Sequence, residues 1–198
     1  MNLKSVLVSC AVTALLLGGC GKSPQVQFYT LTPAVPSEAS HLVKNVPSIA
    51  IAGVTLPELV DRPQLVVPDT GARVSILEAS RWAEPLKSAI PRLLAENLSR
   101  SIGADRVAVY PQHAAYSVDY RIFVDIQRFE ATGNAVVIDA LWSIRNSVKE
   151  GKPLTGRSKI SEPSGSTEVE AFVAAYSRAL AAVSKDLARA VRALQTKE

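Results

Sequence analysis

Polar and apolar residues alternate one for one along much of the second half of the chain. Between residues 116 and 127, Tyr116, Val118, Tyr120, Ile122, Val124 and Ile126 are interleaved with Ser117, Asp119, Arg121, Phe123, Asp125 and Gln127. After Thr132-Gly133-Asn134 the same period returns in Val136, Ile138, Ala140, Trp142 and Ile144. A period of two gathers one set of side chains on one face of an extended strand, so the two runs predict a β-hairpin with one buried face. Its second face is not wholly polar. Strict alternation places Phe123, Phe129, Val137 and Leu141 there, a surface that calls for a helix or another subunit to cover it.

Shorter extended segments surround this pair. Phe28 to Leu31 reads as a strand, Ile49, Ile51 and Val54 mark another, and residues 64–77 fold back on themselves around the tight turn Pro68-Asp69-Thr70-Gly71. Residues 33–47 carry Pro33, Pro36 and Pro47 and read as a loop. Val107 and Val109 form a short strand closed by Pro111, and residues 153–161 extend the meander. Two segments have helical spacing instead. Trp82, Leu86, Ile90, Leu93, Leu94, Leu98 and Ile102 form one stripe, with Pro85 in the first turn, Pro91 predicted to bend or divide the helix, and Gly103 as its C-terminal cap. Thr167 and Glu170 stand three apart as a capping box, opening a long helix striped by Phe172, Val173, Tyr176, Leu180, Val183, Leu187 and Val191 and slimmed by alanines. The pattern predicts one α+β domain over residues 28–195: an antiparallel-rich sheet with a long central hairpin, packed by two amphipathic helices.

The first twenty residues follow a different logic. Lys4 precedes a thirteen-residue apolar run, Ser5 to Leu17, and then Gly18, Gly19 and Cys20. Thirteen residues at about 1.5 Å each reach roughly 20 Å, short of a hydrocarbon core of roughly 30 Å, so the run reads as an export signal and not as a membrane span. Leu17-Gly18-Gly19-Cys20 resembles the bacterial lipobox. That resemblance implies a signal peptide over residues 1–19, lipid attachment at Cys20, and a tether over residues 20–27. Gly21, Lys22 and Ser23 follow the cysteine without the Asp at the second position that retains such proteins in the inner membrane, which implies the periplasmic face of the outer membrane. Acyl chains contribute about 0.8 kcal/mol per buried CH₂, so several on one terminus hold a protein without any spanning helix.

Composition narrows the chemistry. The chain has 198 residues, 47% of them hydrophobic and 20% charged, in the range of folded proteins. Loss of residues 1–19 leaves 21 basic against 18 acidic groups. The charge is near balance and spread along the chain, so nucleic acid is not an expected partner. Cys10 and Cys20 are the chain's two cysteines and His41 and His113 its two histidines. A domain beginning after Cys20 therefore has neither a disulfide nor a Cys/His zinc site, and neither histidine lies in a nucleophile motif. Glycine-rich phosphate loops are absent, and Asp119, Asp125 and Asp139 read as a solvated sheet face. No catalytic residue, metal or cofactor is expected.

Several segments together resemble the PqiC/YmbA-type lipoproteins, auxiliary components of ABC-type and MCE-type transport systems. They are Phe28-Tyr29-Thr30-Leu31 shortly after the lipobox cysteine, Leu56-Pro57-Glu58 with Asp61-Arg62-Pro63-Gln64, Arg81-Trp82-Ala83-Glu84-Pro85-Leu86, Trp142, and the alanine-rich last helix. The resemblance implies a non-enzymatic outer-membrane lipoprotein in intermembrane lipid transport. Its implied partners are an MCE-domain (PqiB-like) protein forming a hydrophobic conduit and the membrane subunits of the transporter, with phospholipid and further copies of the chain left open. Arg62, Gln64, Phe123, Phe129 and Leu141 are the candidate partner or subunit surface. Trp82 and Leu86 read as core, and for Arg62 an ion pair with Asp61 or Glu84 stands beside the surface role. Two other functions remain open: a structural envelope lipoprotein that binds peptidoglycan or assists outer-membrane assembly, and a periplasmic solute-binding component, for which the chain is short.

Overall fold

The computed structural model describes residues 24–34, 47–69, 71–103, 107–109, 117–149 and 151–196. Cys10, Cys20, His41, His113, Tyr116 and most of the proline-bounded loop lie outside the described residues. The elements in chain order are β1 (Gln27–Tyr29), β2 (Ile49–Thr55), β3 (Gln64–Pro68), β4 (Val74–Trp82), α1 (Leu86–Ile102), β5 (Val107–Val109), β6 (Tyr120–Thr132), β7 (Ala135–Asn146), β8 (Leu154–Pro163) and α2 (Val169–Gln195).

The fold is α+β, with the predicted hairpin as β6 and β7 at its centre. The strands form two sheets, both mixed. A five-stranded sheet has the order β5-β2-β6-β7-β8, in which β2 runs parallel to β5 and β6 while β6, β7 and β8 form the antiparallel meander. A three-stranded sheet has the order β1-β4-β3, with β1 parallel to β4 and β3 antiparallel to it. The parallel pairs join strands far apart in sequence: helix α1 lies between β2 and β5, and a helical crossover is how a chain returns to a parallel neighbour. Both helices cover one face of the larger sheet, α1 against β2 and β5, α2 against β7 and β8, and each against the other.

The stripe beginning at Trp82 divides between two elements. Trp82 ends β4, and the helix begins at Leu86 after Pro85, whose backbone is extended (φ −56°, ψ 133°). The residue before a proline is disfavoured in helical conformation, which sets that boundary. Pro91 does not divide α1, which runs unbroken from Leu86 to Ile102 with Pro91 itself buried. Its cost is the missing donor to the Lys87 carbonyl, set against burial of Leu86, Ile90, Leu93, Leu94 and Leu98 at 2% exposure or less. Gly103 closes the helix in the left-handed conformation at φ 67°.

The predicted capping box at Thr167 does not form. The last helix starts at Val169 with Glu168 as N-cap and no side-chain cap, and Glu170 instead accepts a hydrogen bond from the Tyr29 hydroxyl at 2.9 Å.

The hairpin departs from simple alternation at one point. Its register steps from Ile126↔Ala140 to Arg128↔Asp139, leaving Gln127 with no residue opposite. This bulge inverts the parity of everything after it. Phe129, predicted on the outer face, lies in the core at 2% exposure, stacked on Tyr176 (centroids 4.1 Å, planes 8° apart) and edge-on to Trp82 at 6.5 Å.

Candidate functional site

With both helices on one side, the opposite face of the five-stranded sheet carries, among the described residues, no further element over its middle. Cross-strand register arranges that face in transverse rows. Gly53, Phe123, Ser143 and Thr155 form one row across β2, β6, β7 and β8, and Thr55, Asp125, Leu141 and Arg157 form the next. These eight residues line an open groove of about 900 Å³. Its apolar floor is Phe123 and Leu141, exposed by 40% and 42%, a large apolar surface for a sheet centre to leave in water. Gly53 lies against the aromatic ring, where a Cβ would come into contact with Phe123 Cδ1 at 3.4 Å.

Charges flank the groove on both sides. At one end Arg121 and Arg145 stand directly opposite each other, and the Arg145 guanidinium lies 5.9 Å from the Phe123 ring centroid. At the other end Arg128, Asp139 and Lys159 form a row. Asp139 is not the solvated carboxylate that alternation suggests. It is buried, and Arg157 grips it in bidentate fashion, Nε to Oδ1 at 2.7 Å and Nη2 to Oδ2 at 2.6 Å. Those hydrogen bonds hold its carboxyl below the usual carboxylate range, against the opposing effect of desolvation and with help from Lys159 and Arg128. The same contacts raise Arg157, and Glu130 likewise raises Arg128, with which it pairs at 2.8 Å.

The floor is braced from the helical side. The Trp142 indole occupies the space that a side chain on Gly156 would fill, where a Cβ would fall 2.1 Å from the ring. Trp142 Nε1 donates to Ser158 Oγ (3.2 Å), and that hydroxyl donates to Asp186 Oδ2 on α2 (2.7 Å). The groove is thereby fixed to a rigid layer of sheet and helix, with little freedom to lose on binding.

Of the candidate surface residues, Phe123 and Leu141 come together here, and Phe129 does not, for the reason given above. Arg62 and Gln64 belong elsewhere, before and at the start of β3. Arg62 makes neither predicted ion pair: Asp61 is taken by Lys87 at 2.5 Å and Glu84 by Arg92, and the Arg62 Nε is buried with no hydrogen-bond partner. Gln64 donates to Glu78 at 3.0 Å. Trp82 and Leu86 are core. Sequence reasoning missed Gly53, Thr55 and Arg157, because they join the groove through pairing with β6 and β7, which periodicity within a single strand does not encode.

Among the described residues no group of three or more His, Cys, Asp and Glu side chains could hold a metal ion. Nor is any helix among them long and apolar enough to cross a membrane. The arrangement offers shape, apolar area and fixed charge. These are the means of docking a partner.

The model of a protein family described as the ABC-type transport auxiliary lipoprotein component matches residues 29–188. Among solved structures, the crystal structure of a Xanthomonas campestris protein of family DUF330 superposes with a TM-score of 0.69 at 20% identity, covering 87% of this chain and all of that one. The crystal structure of a second protein, uncharacterized, superposes at 0.67 with 18% identity over 84% of this chain and 99% of its own. No curated protein matches the chain.

Proposed function

The chain belongs to the family of ABC-type transport auxiliary lipoprotein components, and on that premise we propose that it is the outer-membrane subunit of an MCE-type intermembrane lipid transport system. In this reading Cys20 carries the lipid anchor, the domain faces the periplasm, and its partners are the transporter's membrane subunits and a PqiB-like MCE protein whose conduit it docks.

The observation that carries the proposal is the outer face of the five-stranded sheet, over whose middle no described element lies. A face built of Phe123 and Leu141 between arginines offers a rigid seat for a protein end presenting apolar and acidic groups. Across this face Arg121, Arg128, Arg145, Arg157 and Lys159 outnumber Asp125, Glu130 and Asp139, which favours an acidic partner surface.

The test is recovery of the tagged, lipidated protein from chemically crosslinked envelopes, with an MCE-domain protein and peptidoglycan fragments scored side by side. Enrichment of the MCE protein, lost on Leu141→Arg, supports the proposal. Enrichment of peptidoglycan or of outer-membrane assembly factors in its place assigns the chain to the alternative structural class.

A further inference from the structure

Apart from the groove, most of the exposed large apolar side chains gather around the three-stranded sheet. Val26, Phe28, Leu59, Val74 and Ile76 are exposed by 37%, 66%, 43%, 44% and 39%. Register shows that those within strands share a face. Tyr29 pairs with Trp82 and Leu65 with Leu77, and all four pack in or against the core. The intervening positions therefore point away from it: Phe28 beside Arg81, Gln64 beside Arg81, Val66 beside Ile76, and Pro68 beside Val74. A small sheet thus presents Phe28, Val66, Ile76, Pro68 and Val74 outward, with two exposed ion pairs at its margin, Arg81 with Glu78 at 3.8 Å and, just before β4, Arg73 with Asp69 at 3.4 Å, the Arg73 side chain being 72% exposed.

The route of the chain says what this face meets. Phe28 is eight residues beyond Cys20, so at no more than about 3.6 Å per residue it stands within roughly 29 Å of the anchoring sulfur. Because β1 is parallel to β4, the chain enters β1 from the end of the sheet at which Val74 and Ile76 stand. The anchor is thus tied by a short length of chain to the sheet that carries the apolar face.

We infer that the outer face of the three-stranded sheet is a membrane seat, resting on the interface of the bilayer that holds the acyl chains. The occupant is lipid: Phe28, Ile76 and Val74 sink among the headgroups while Arg73 and Arg81 exchange their exposed partners Asp69 and Glu78 for phosphates, an arrangement in which one anchored terminus and one apolar face act together. The inference rests on lipidation at Cys20. It gives the domain a fixed orientation on the bilayer and leaves the groove, which belongs to the other sheet, out of the seat.

The absence of any cysteine after Cys20 makes the test direct. Full-length lipidated Ile76→Cys, Val74→Cys and Leu141→Cys proteins are each labelled with an environment-sensitive fluorophore and bound to phosphatidylethanolamine/phosphatidylglycerol vesicles containing brominated lipid. Flotation of the vesicles scores the anchor independently. The seat predicts floating protein with several-fold stronger quenching at positions 74 and 76 than at 141. Floating protein with no quenching at 74 and 76, or with equal quenching at 141, overturns the seat and leaves the anchor standing. Wild-type protein that fails to float overturns the anchor, and the seat with it.

Discussion

Phe123 and Phe129 are two phenylalanines six residues apart on one strand, and strict alternation treats them as equivalents. The bulge at Gln127 separates them, so their alanine variants should differ sharply. Phe129→Ala removes a ring at 2% exposure, stacked on Tyr176 and edge-on to Trp82, from a site whose sheet and helix walls cannot close over the gap. A buried Phe→Ala change costs about 3–5 kcal/mol, of which aromatic geometry accounts for about 0.5–1.5. Phe123→Ala removes a ring already 40% in water, with a cation–π contact to Arg145 of about 0.5–1 kcal/mol, so its cost is about 1 kcal/mol. Urea unfolding of the Cys20→Ser protein followed by circular dichroism reads the difference directly as a midpoint shift at constant slope. In a domain of this size each kcal/mol moves Tm by roughly 2–4 °C, giving roughly 6–20 °C for Phe129→Ala and roughly 2–4 °C for Phe123→Ala. Equal losses from the two variants would refute the bulge and return Phe129 to the outer face.

Gly156→Ala should destabilise by about 1–3 kcal/mol, because its methyl collides with Trp142 and breaks the link through Ser158 to Asp186; an unchanged urea midpoint and unchanged Trp142 emission would contradict that packing. Asp139 titrates lower folded than unfolded, so its contribution to stability is present above the unfolded value of about 3.9 and fades as pH falls from there through the folded value. Asp139→Asn should therefore lower stability at neutral pH and flatten its fall below about pH 4; parallel curves for the two proteins would show that the Arg157 pair contributes nothing. Tyr29→Phe, which deletes the hydrogen bond to Glu170, should cost about 0.5–1.5 kcal/mol and speed amide exchange in β1, where no change in exchange would detach β1 from α2.

Much of the fold could be read from local pattern. The β6–β7 hairpin and both helices follow from side-chain period, since a buried face repeats every two residues in a strand and every three to four in a helix, and the β3–β4 pair follows from the tight turn at Pro68 to Gly71. What escaped were features decided between distant segments. No periodicity tells β1 to pair with β4 across the intervening β2 and β3, or β2 to enter the five-stranded sheet parallel to β6 by the crossover through α1, because a strand's own side-chain period does not name its neighbour. The bulge did leave a trace: Gln127 and Arg128 are consecutive polar residues between Ile126 and Phe129, a broken alternation that restores Phe129 and Ala131 to the apolar set. The groove was half visible. Phe123 and Leu141 stood out as apolar residues on a polar face, whereas Asp139 looked solvated because its partner Arg157 comes from a third strand.

The central claim is that the groove over Phe123 and Leu141 receives the transporter's MCE-domain subunit. A photo-crosslinking amino acid at Leu141 in intact cells, with the same residue at the exposed Lys185 of α2 as reference, tests it most directly. The account predicts an adduct with the MCE-domain protein from position 141 and none from position 185. An MCE adduct from position 185 with none from 141, or adducts at 141 with peptidoglycan alone, would contradict it.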